Sequence, residues 1–215
     1  PALNNAIAKH TDDKTLIIKL PKGVLDIKTP LIINRSNLVI QGAGPEETLL
    51  HVNMTGHHTA AVDVFGTRGT KIGWLKRNAR NTDTVISVSM KRRAENGQVL
   101  LFLEPNNDAF FNHVGSEKWR KTHPAIRQTL VRLNRPSEGR YLYLSRELGN
   151  VFSANDTRIY LVEPVKNVIL KDFSIQHIIP GHGIEEVQGL YKNNYPNNAV
   201  DSIRFQWALA CGIQN

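Results

Sequence analysis

Short aliphatic segments separated by turn residues dominate the first 52 residues of the chain. This pattern predicts strands at 15–20, 24–27, 31–33, 38–40 and 49–52. Most of the breaks carry Pro-Lys-Gly, Thr-Pro or Gly-Ala-Gly-Pro sequences, which are typical of turns. No helical pattern separates these strands and no Asn-Gly dipeptide joins them, so the sequence favours neither a doubly wound sheet nor tight hairpins. Ahead of the strands, Leu3, Ala6 and Ile7 share one face and predict a short helix over residues 1–10.

The spacing of the predicted strands indicates a coil. Leu16 and Leu38 lie 22 positions apart, which is a usual length for one coil of a β-solenoid. A faint repeat supports this interpretation, because residues 37–42, 167–172 and 210–215 share one pattern. Each copy has an amide or small residue, an aliphatic residue three positions later, a long polar residue and then Gly, Asp or Asn. Stacked coils would place like on like, with aliphatic side chains inside and amides at a corner.

The middle of the chain departs from this pattern. Residues 66–81 are polar and basic, and longer strands are predicted after them on both sides of a loop over 105–124. These strands are predicted at 84–90, 99–103, 128–133, 141–144 and 157–162. We interpret the section as a small antiparallel insertion mounted on the solenoid. The predicted organisation is a cap helix with the first coils at 1–65, the insertion at 66–164 and resumed coils at 165–215.

Three segments near the N-terminus carry a family resemblance. They are Thr-Leu-Ile-Ile-Lys-Leu-Pro-Lys-Gly at 15–23, Leu-Ile-Ile at 31–33 and Asn-Leu-Val-Ile-Gln-Gly-Ala-Gly at 37–44. Together with the short amphipathic helix, they resemble the opening of pectate-lyase-like proteins, the pectin lyase fold superfamily. The resemblance covers residues 1–52 well and 165–215 moderately. It implies an all-β fold: a right-handed parallel β-helix with an N-terminal capping helix and an antiparallel β insertion of the kind that some members carry.

The resemblance also implies a carbohydrate ligand. Members of the superfamily include polysaccharide lyases, glycoside hydrolases, uronate epimerases and phage tailspikes that bind or cleave surface glycans, and fold alone does not choose among them. Their sites usually lie on the outer face of one sheet, and the location implied is secreted, periplasmic or at the cell surface. Because the chain ends inside what looks like a coil, we expect further coils or another chain to cover that end.

The charge of the chain narrows the choice of partner. There are 27 Lys and Arg against 19 Asp and Glu, a formal net charge of +8 at pH 7. Such a surface attracts polyanions, and we predict an acidic polysaccharide as the partner. The basic stretches at 68–80 and 91–93 make nucleic acid the alternative, but no DNA-binding or RNA-binding motif accompanies them. No apolar run approaches the roughly 20 residues of a membrane helix, and the single Cys211 excludes an intrachain disulfide.

The candidate catalytic residues lie between positions 177 and 204. Strand alternation predicts that Arg204 points outward from the solenoid. A lyase acting on uronates needs a cation to neutralise the sugar carboxylate and a base to remove the neighbouring C–H proton. Arg204 is the predicted cation, with Asp201 at the turn before it, and His182 or His177 is the predicted base. The alternative interpretation is a surface ion pair between Asp201 and Arg204, with both histidines in a loop.

A second polar and aromatic group lies in the predicted loop over 105–124. Aromatic faces stack on sugar rings, and Asn, Asp and Arg side chains hydrogen-bond hydroxyl or carboxylate groups. The predicted substrate-binding residues are Asn107, Asp108, His113, Lys118, Trp119 and Arg120. The alternative is a solvated loop anchored by the packing of Trp119. Asn-Asn-Asp at 106–108 also resembles an oxygen-ligand loop for Ca²⁺, but adjacent residues lack the alternate spacing of a dedicated calcium loop. We therefore predict no metal site and no cofactor. A bound Ca²⁺ ion is the alternative.

Several functions are open at this point. The first hypothesis is a polysaccharide lyase that cleaves an acidic, uronate-containing polysaccharide by β-elimination, since the positive charge favours an acidic substrate. The rival is a non-catalytic glycan-binding, adhesin or tailspike-like module, and a plain structural scaffold is a third choice. A glycoside hydrolase on the same fold is a further alternative, because hydrolysis needs a pair of carboxylates. The carboxylates on offer are Asp172, Glu185, Glu186 and Asp201.

Overall fold

The computed structural model describes residues 2–54, 59–115, 125–178 and 201–214. Over these residues the chain is an all-β protein with two short helices, α1 (Ala2–Lys9) and α2 (Asp108–Val114). The first nine strands are β1 (Leu16–Lys19), β2 (Gly23–Ile27), β3 (Leu31–Ile33), β4 (Leu38–Gln41), β5 (Thr48–Val52), β6 (Val62–Phe65), β7 (Thr67–Leu75), β8 (Val85–Met90) and β9 (Val99–Glu104). The others are β10 (Arg127–Arg132), β11 (Tyr141–Tyr143), β12 (Arg158–Glu163), β13 (Val165–Lys166), β14 (Val168–Lys171), β15 (Ser174–His177), β16 (Ile203–Gln206), β17 (Ala208–Leu209) and β18 (Gly212–Gln214).

The chain divides into two compact units. The first, which we call the parallel unit, consists of Pro1–Gly66 and Pro164–Asn215. The second, which we call the antiparallel unit, is Thr67–Glu163. Among the described residues, named strands pair in parallel in the first unit and antiparallel in the second. Each unit has a hydrophobic core of its own.

The parallel unit is built from successive chain segments that pair in register. Its sheets have the strand orders β1-β4-β14-β18, β2-β5-β15 and β3-β6-β16, and β13 pairs with β17. The register puts Ile18 beside Ile40, Ile40 beside Leu170, and Leu170 beside Ile213. The stacking of like on like that the sequence repeat predicts is therefore confirmed.

The interior of the parallel unit consists of aliphatic columns, because side chains alternate between the two faces of each strand. In β4, Leu38 and Ile40 are buried whereas Val39 is partly exposed. Burial of each such Leu or Ile contributes about 1.5–3 kcal/mol. Helix α1 adds Ile7 to this core. Its Asn4 accepts a hydrogen bond from the Ile32 amide and donates one to the Pro30 carbonyl, both at 2.9 Å, so the helix satisfies groups on the outermost strand of its sheet.

One corner of the stack is formed by residues in the left-handed backbone region. Asn37, Asn167 and Ala210 have φ values of +57°, +56° and +53°. Asn tolerates this conformation better than other residues with a Cβ atom. The amide of Asn167 donates to the side-chain oxygen of Asn37 at 2.9 Å, and Asn37 donates to the carbonyl of Asp13 at 2.9 Å. The amides expected at the corner form a hydrogen-bonded ladder, which Ala210 does not extend.

The antiparallel unit is one sheet with the strand order β10-β9-β12-β7-β8-β11. A bridge between Leu133 and Leu144, just beyond β10 and β11, joins the two ends of this order. The sheet therefore closes on itself, as small barrels do. Its interior is filled by large side chains that are fully buried, among them Phe102, Phe152 and Leu142.

A buried carboxylate lies at one end of this core. Glu104 is 0% exposed, and Arg127 donates to it at 2.7 Å. The amide of Ser153 donates at 2.7 Å, its hydroxyl at 2.9 Å, and the hydroxyl of Thr157 at 3.3 Å. These donors satisfy a charge that would otherwise cost several kcal/mol to bury.

The sequence predictions miss the two-residue strands β13 and β17 and three longer elements. No strand was predicted over the polar and basic residues 66–81, but β7 occupies much of this stretch. Register shifts between β7 and β12 interrupt the alternation of apolar and polar residues that identifies a strand. The loop predicted over 105–124 contains α2, which Asn107 caps at the N-terminus and Gly115, with a φ of +71°, ends. Strand β6 was also not predicted, since an aspartate interrupts its four residues.

Candidate functional site

A polar cluster on two neighbouring strands of the parallel unit centres on Arg204 of β16, which lies beside Asp63 of β6. Nε of Arg204 donates to Oδ1 of Asp63 at 2.9 Å, and Nη2 donates to Oδ2 at 2.6 Å. The hydroxyl of Thr59 accepts from Nη2 at 3.0 Å and donates to Oδ2 of Asp63 at 3.2 Å. The Asp63 side chain is 7% exposed and that of Arg204 is 41% exposed. A buried carboxylate thus holds the arginine in one orientation at the surface.

The pairing also sets the charge of this cluster. The hydrogen bond to Asp63 raises the pKa of Arg204 above its ordinary value against the opposing effect of desolvation, and the charges of Asp63 and Asp201 add to the rise. Arg204 therefore stays protonated, and Asp63 neutralises much of its charge locally. A fixed guanidinium of this kind can donate hydrogen bonds to sugar hydroxyl or carboxylate groups through donors beyond those that bind Asp63.

His177 is the last residue of β15, in register with Val52 of β5. Its Nε2 lies 2.8 Å from the hydroxyl oxygen of Ser202, just before β16. Burial lowers the pKa of His177 below its ordinary value, because desolvation disfavours the charged imidazolium. The neutral imidazole is the form expected at pH 7, and one of its nitrogens can then accept a proton.

The structure brings some of the predicted catalytic residues into defined settings. Arg204 is fixed, but its direct partner is Asp63, which corrects the interpretation that paired it with Asp201. Asp201 acts on Arg204 through its charge. His177 lies in a strand, which corrects its predicted place in a loop. His182 lies outside the described residues.

Asp63 and Thr59 are the parts of the cluster that the sequence reasoning missed. The alternation of residues 62–65, Val-Asp-Val-Phe, is typical of a strand in which Asp63 faces away from its valine neighbours. That alternation was the available signal for the aspartate. The pairing of Asp63 with Arg204 spans 141 positions of sequence, so only the register of the stack could reveal it.

The predicted substrate-binding residues of the antiparallel unit are only partly visible. Asn107 is the N-cap of α2, and its side-chain oxygen accepts from the Phe110 amide at 2.8 Å. Asp108 lies in the first turn of α2, and His113 lies within the same helix. Lys118, Trp119 and Arg120 lie outside the described residues. The substrate-binding role of this group stays a prediction.

The stretch considered for Ca²⁺ is engaged with backbone groups. Besides the Asn107 cap, Asn106 accepts from the Ile126 amide at 2.9 Å. Across residues 2–54, 59–115, 125–178 and 201–214, no group of three or more His, Cys, Asp or Glu is placed to hold a metal ion. Of the hydrolase carboxylates, Asp172 accepts from Gln41 at 3.0 Å, while Glu185 and Glu186 lie outside the described residues. Within the described part of the chain, neither helix is long and apolar enough to cross a membrane.

Neither a comparison with protein-family models nor a comparison with curated protein sequences gives a match. Comparison with solved structures gives phage tailspike proteins. The Gp54 tailspike of Acinetobacter baumannii bacteriophage AP22, solved in complex with A. baumannii capsular saccharide, matches with a TM-score of 0.60 at 12% identity. This match covers 98% of this chain and 30% of that chain.

Two Pseudomonas phage proteins give similar values. The tailspike protein gp49 of phage LKA1 matches with a TM-score of 0.58 at 12% identity, over 82% of this chain and 31% of that chain. The tailspike gp61 of phage phi297 matches with a TM-score of 0.56 at 12% identity, over 83% and 28%. The chain thus spans less than a third of the length of each of these structures, with which it shares its fold.

Proposed function

We propose that this chain is part of a tailspike-like protein that recognises a surface polysaccharide. The parallel unit supplies the first coils of a right-handed parallel β-helix, and the antiparallel unit is an insertion between coils. The observation that carries the proposal is the match of 98% of the chain to a tailspike solved with a capsular saccharide. Because such a ligand lies on the outside of cells, the proposal includes a secreted or surface location.

The chemistry of the Arg204 cluster supports a saccharide ligand. Asp63 and Thr59 accept from Nε and Nη2 of Arg204, and the two N–H groups of Nη1 can donate to the carboxylate or hydroxyl oxygens of a sugar. Asp63 and Thr59 fix the guanidinium before a ligand arrives, which reduces the entropy lost on binding. The net charge of +8 favours an acidic polymer among the candidate polysaccharides.

Binding to a panel of polymers tests this proposal. The full chain is titrated with bacterial capsular polysaccharides, alginate, polygalacturonate and neutral dextran, and binding is followed by calorimetry. We expect saturable binding to at least one acidic polymer. Arg204→Lys, which keeps the charge beside Asp63 and loses the planar donors, should weaken it about fivefold. Arg92→Lys, at an exposed site outside this cluster, is the matched control. A chain that binds none of these polymers contradicts the proposal.

Cleavage by β-elimination is the second candidate function, and the neutral imidazole of His177 favours it. In this reaction a base removes the proton next to the uronate carboxylate, the C–O bond to the neighbouring sugar breaks, and a carbon–carbon double bond forms. The base gains the proton, and the oxygen of the broken bond stays on the leaving sugar and takes a proton from water to become a hydroxyl. Because Asp63 already neutralises much of the charge of Arg204, the geometry supports binding better than it supports this chemistry.

The two candidates differ in their products. Incubation of the chain with alginate or polygalacturonate should raise the ultraviolet absorbance of unsaturated chain ends if elimination occurs. The His177→Gln variant, which keeps a polar group near Ser202, should then lose this activity while retaining binding. Saturable binding without new chain ends on any uronate polymer would leave recognition alone as the function.

A further inference from the structure

The outer side of β11 in the antiparallel unit carries an exposed group of tyrosines and arginines. In β11, Leu142 faces the core, so Tyr141 and Tyr143 face outward. Tyr141 is 37% exposed, and the neighbouring Arg77, Arg135 and Arg140 are exposed. The basic run noted in the sequence ends close to this group, but no function has been assigned to the group so far.

Contacts with the tyrosine rings hold the arginines in place. The guanidinium carbon of Arg135 lies 3.4 Å from the centre of the Tyr143 ring, which is within the range of a cation–π contact. Glu138 supports both residues: it accepts from the Tyr143 hydroxyl at 3.2 Å and lies 3.7 Å from Nη1 of Arg135. The guanidinium of Arg135 therefore lies over an aromatic ring and has Glu138 beside it.

Arg140 and Tyr141 form a second pair. Nε of Arg140 donates to the Tyr141 hydroxyl at 3.4 Å, and its guanidinium carbon lies 5.5 Å from the ring centre. The hydrogen bond from Arg140, its charge and that of Arg77 lower the pKa of Tyr141. This lowered pKa indicates a positive potential at the surface, where the described residues of the group include three arginines and one carboxylate, Glu138.

We propose that Arg77, Arg135, Arg140, Tyr141 and Tyr143 form a binding surface for the carboxylate-bearing sugars of an acidic polysaccharide. Preoriented guanidinium groups bind carboxylates with paired hydrogen bonds, while the exposed ring of Tyr141 offers a face for a sugar ring. Among the described residues the surface is one short patch, without the long basic groove that tracks a phosphate backbone, so it suits a uronate polymer better than nucleic acid. For its ligand class this inference rests on the proposed function, although it uses different residues.

Titration of the full chain with polygalacturonate, alginate and hyaluronate tests the surface, with methyl-esterified polygalacturonate and duplex DNA as comparison ligands. We expect the Arg135→Lys/Arg140→Lys variant to bind the uronate polymers about fivefold more weakly, because lysine keeps the charge and loses the planar donors. Tyr141→Ala should show a loss of similar size, with folding checked by circular dichroism. Arg158→Lys, on the exposed side of β12, is the matched control and should bind as the wild type does.

Each outcome decides the inference. The inference is supported if the Arg135→Lys/Arg140→Lys and Tyr141→Ala variants bind uronate polymers more weakly, the control does not, and the methyl ester binds weakly. Uronate binding that these variants leave unchanged overturns this surface and leaves the proposed function standing. If the chain binds neutral or capsular polymers but no uronate polymer, this surface is likewise overturned and the proposed function stands. Binding of DNA equal to that of the uronate polymers, with equal loss in the variants, reassigns the surface to polyanions in general and overturns it. A chain that binds no polysaccharide overturns both proposals.

Discussion

The two units accommodate polar groups in different ways. In the parallel unit the interior is made largely of aliphatic columns, with Thr48 as a neutral exception, and charged and amide side chains lie at corners or on outer faces. A buried carboxylate of this unit, Asp63, faces outward and pairs with Arg204 at the surface. In the antiparallel unit a carboxylate, Glu104, is fully buried and bonded by Arg127 and two hydroxyl residues.

The difference follows from how each unit is built. In a stack, each inward side chain lies between the equivalent side chains of the coils above and below. An inward charge would therefore lie in an aliphatic column and would need a partner of opposite charge inside the core. Amides can repeat in this way because each both donates and accepts. A closed sheet has positions that occur once, so a single charged network can be satisfied there. We therefore expect different kinds of substitution to destabilise the two units.

The largest effect is expected from Glu104→Ala. It leaves Arg127 and the Ser153 amide without their acceptor, and we expect the free energy of unfolding of the antiparallel unit to fall by about 3 kcal/mol. Amide hydrogen exchange should speed up in β9 and β12 and stay unchanged in β4 and β14. Glu95→Ala, at an exposed carboxylate, should change stability by no more than about 0.5 kcal/mol. Equal effects of the two substitutions would mean that the buried network contributes little.

A steric substitution should damage the parallel unit instead. A Cβ atom on Gly42 would lie 2.0 Å from the carbonyl oxygen of Asp172 on the next level of the stack. Gly42→Ala should therefore lower the free energy of unfolding by about 2 kcal/mol, with faster exchange in β4 and β14. Gly212 has no atom within 4 Å of such a Cβ, so Gly212→Ala is the matched control and should be nearly neutral. Equal stability of the two alanine variants would contradict the close contact between Gly42 and Asp172.

Substitutions in the hydrogen-bonded ladder at the corner should change the free energy of unfolding by less, and in either direction. Asn37→Ala removes the hydrogen bonds to Asn167 and Asp13 and puts alanine in the left-handed region, which should cost about 1.5 kcal/mol. Ala210→Asn adds the residue that this conformation favours and should raise stability by about 0.5 kcal/mol. Ala210→Ser is the control and should show no gain. Thermal unfolding measures all three, and stabilisation by serine equal to that by asparagine would contradict the ladder.

The smallest effect concerns pH. The pKa of His177 is lowered from its ordinary 6.5 by burial, so the unfolded chain binds a proton more readily than the folded one. The stability linked to this group is present above about pH 6.5 and is lost as pH falls through that value toward the lower folded pKa. His177→Gln should flatten the decline in melting temperature between about pH 7 and pH 5. A decline as steep as in the wild type would exclude His177 as its source.

Local patterns in the sequence predict most strands of both units, and five of the six strands of the antiparallel unit begin and end within about one residue of their predicted bounds. β3 and the repeat at 37–42 and 167–172 were predictable, because inward columns demand aliphatic residues at fixed spacing. β7 was not, since its register shifts break that spacing. Arg204 was predictable as an outward cation, whereas its partner Asp63 depends on which distant strands become neighbours. The tyrosine and arginine surface at β11 was missed because its residues come from separate segments: Arg77 follows β7, Arg135 follows β10, and Arg140 directly precedes β11.

Hydrogen exchange of the full chain, with and without saturating uronate polymer, tests the central claim of glycan recognition most directly. The account predicts slower exchange around β11 and around β6 and β16, with β9 and β4 unchanged. Absence of protection in both regions, with any polymer that the chain binds, would contradict it.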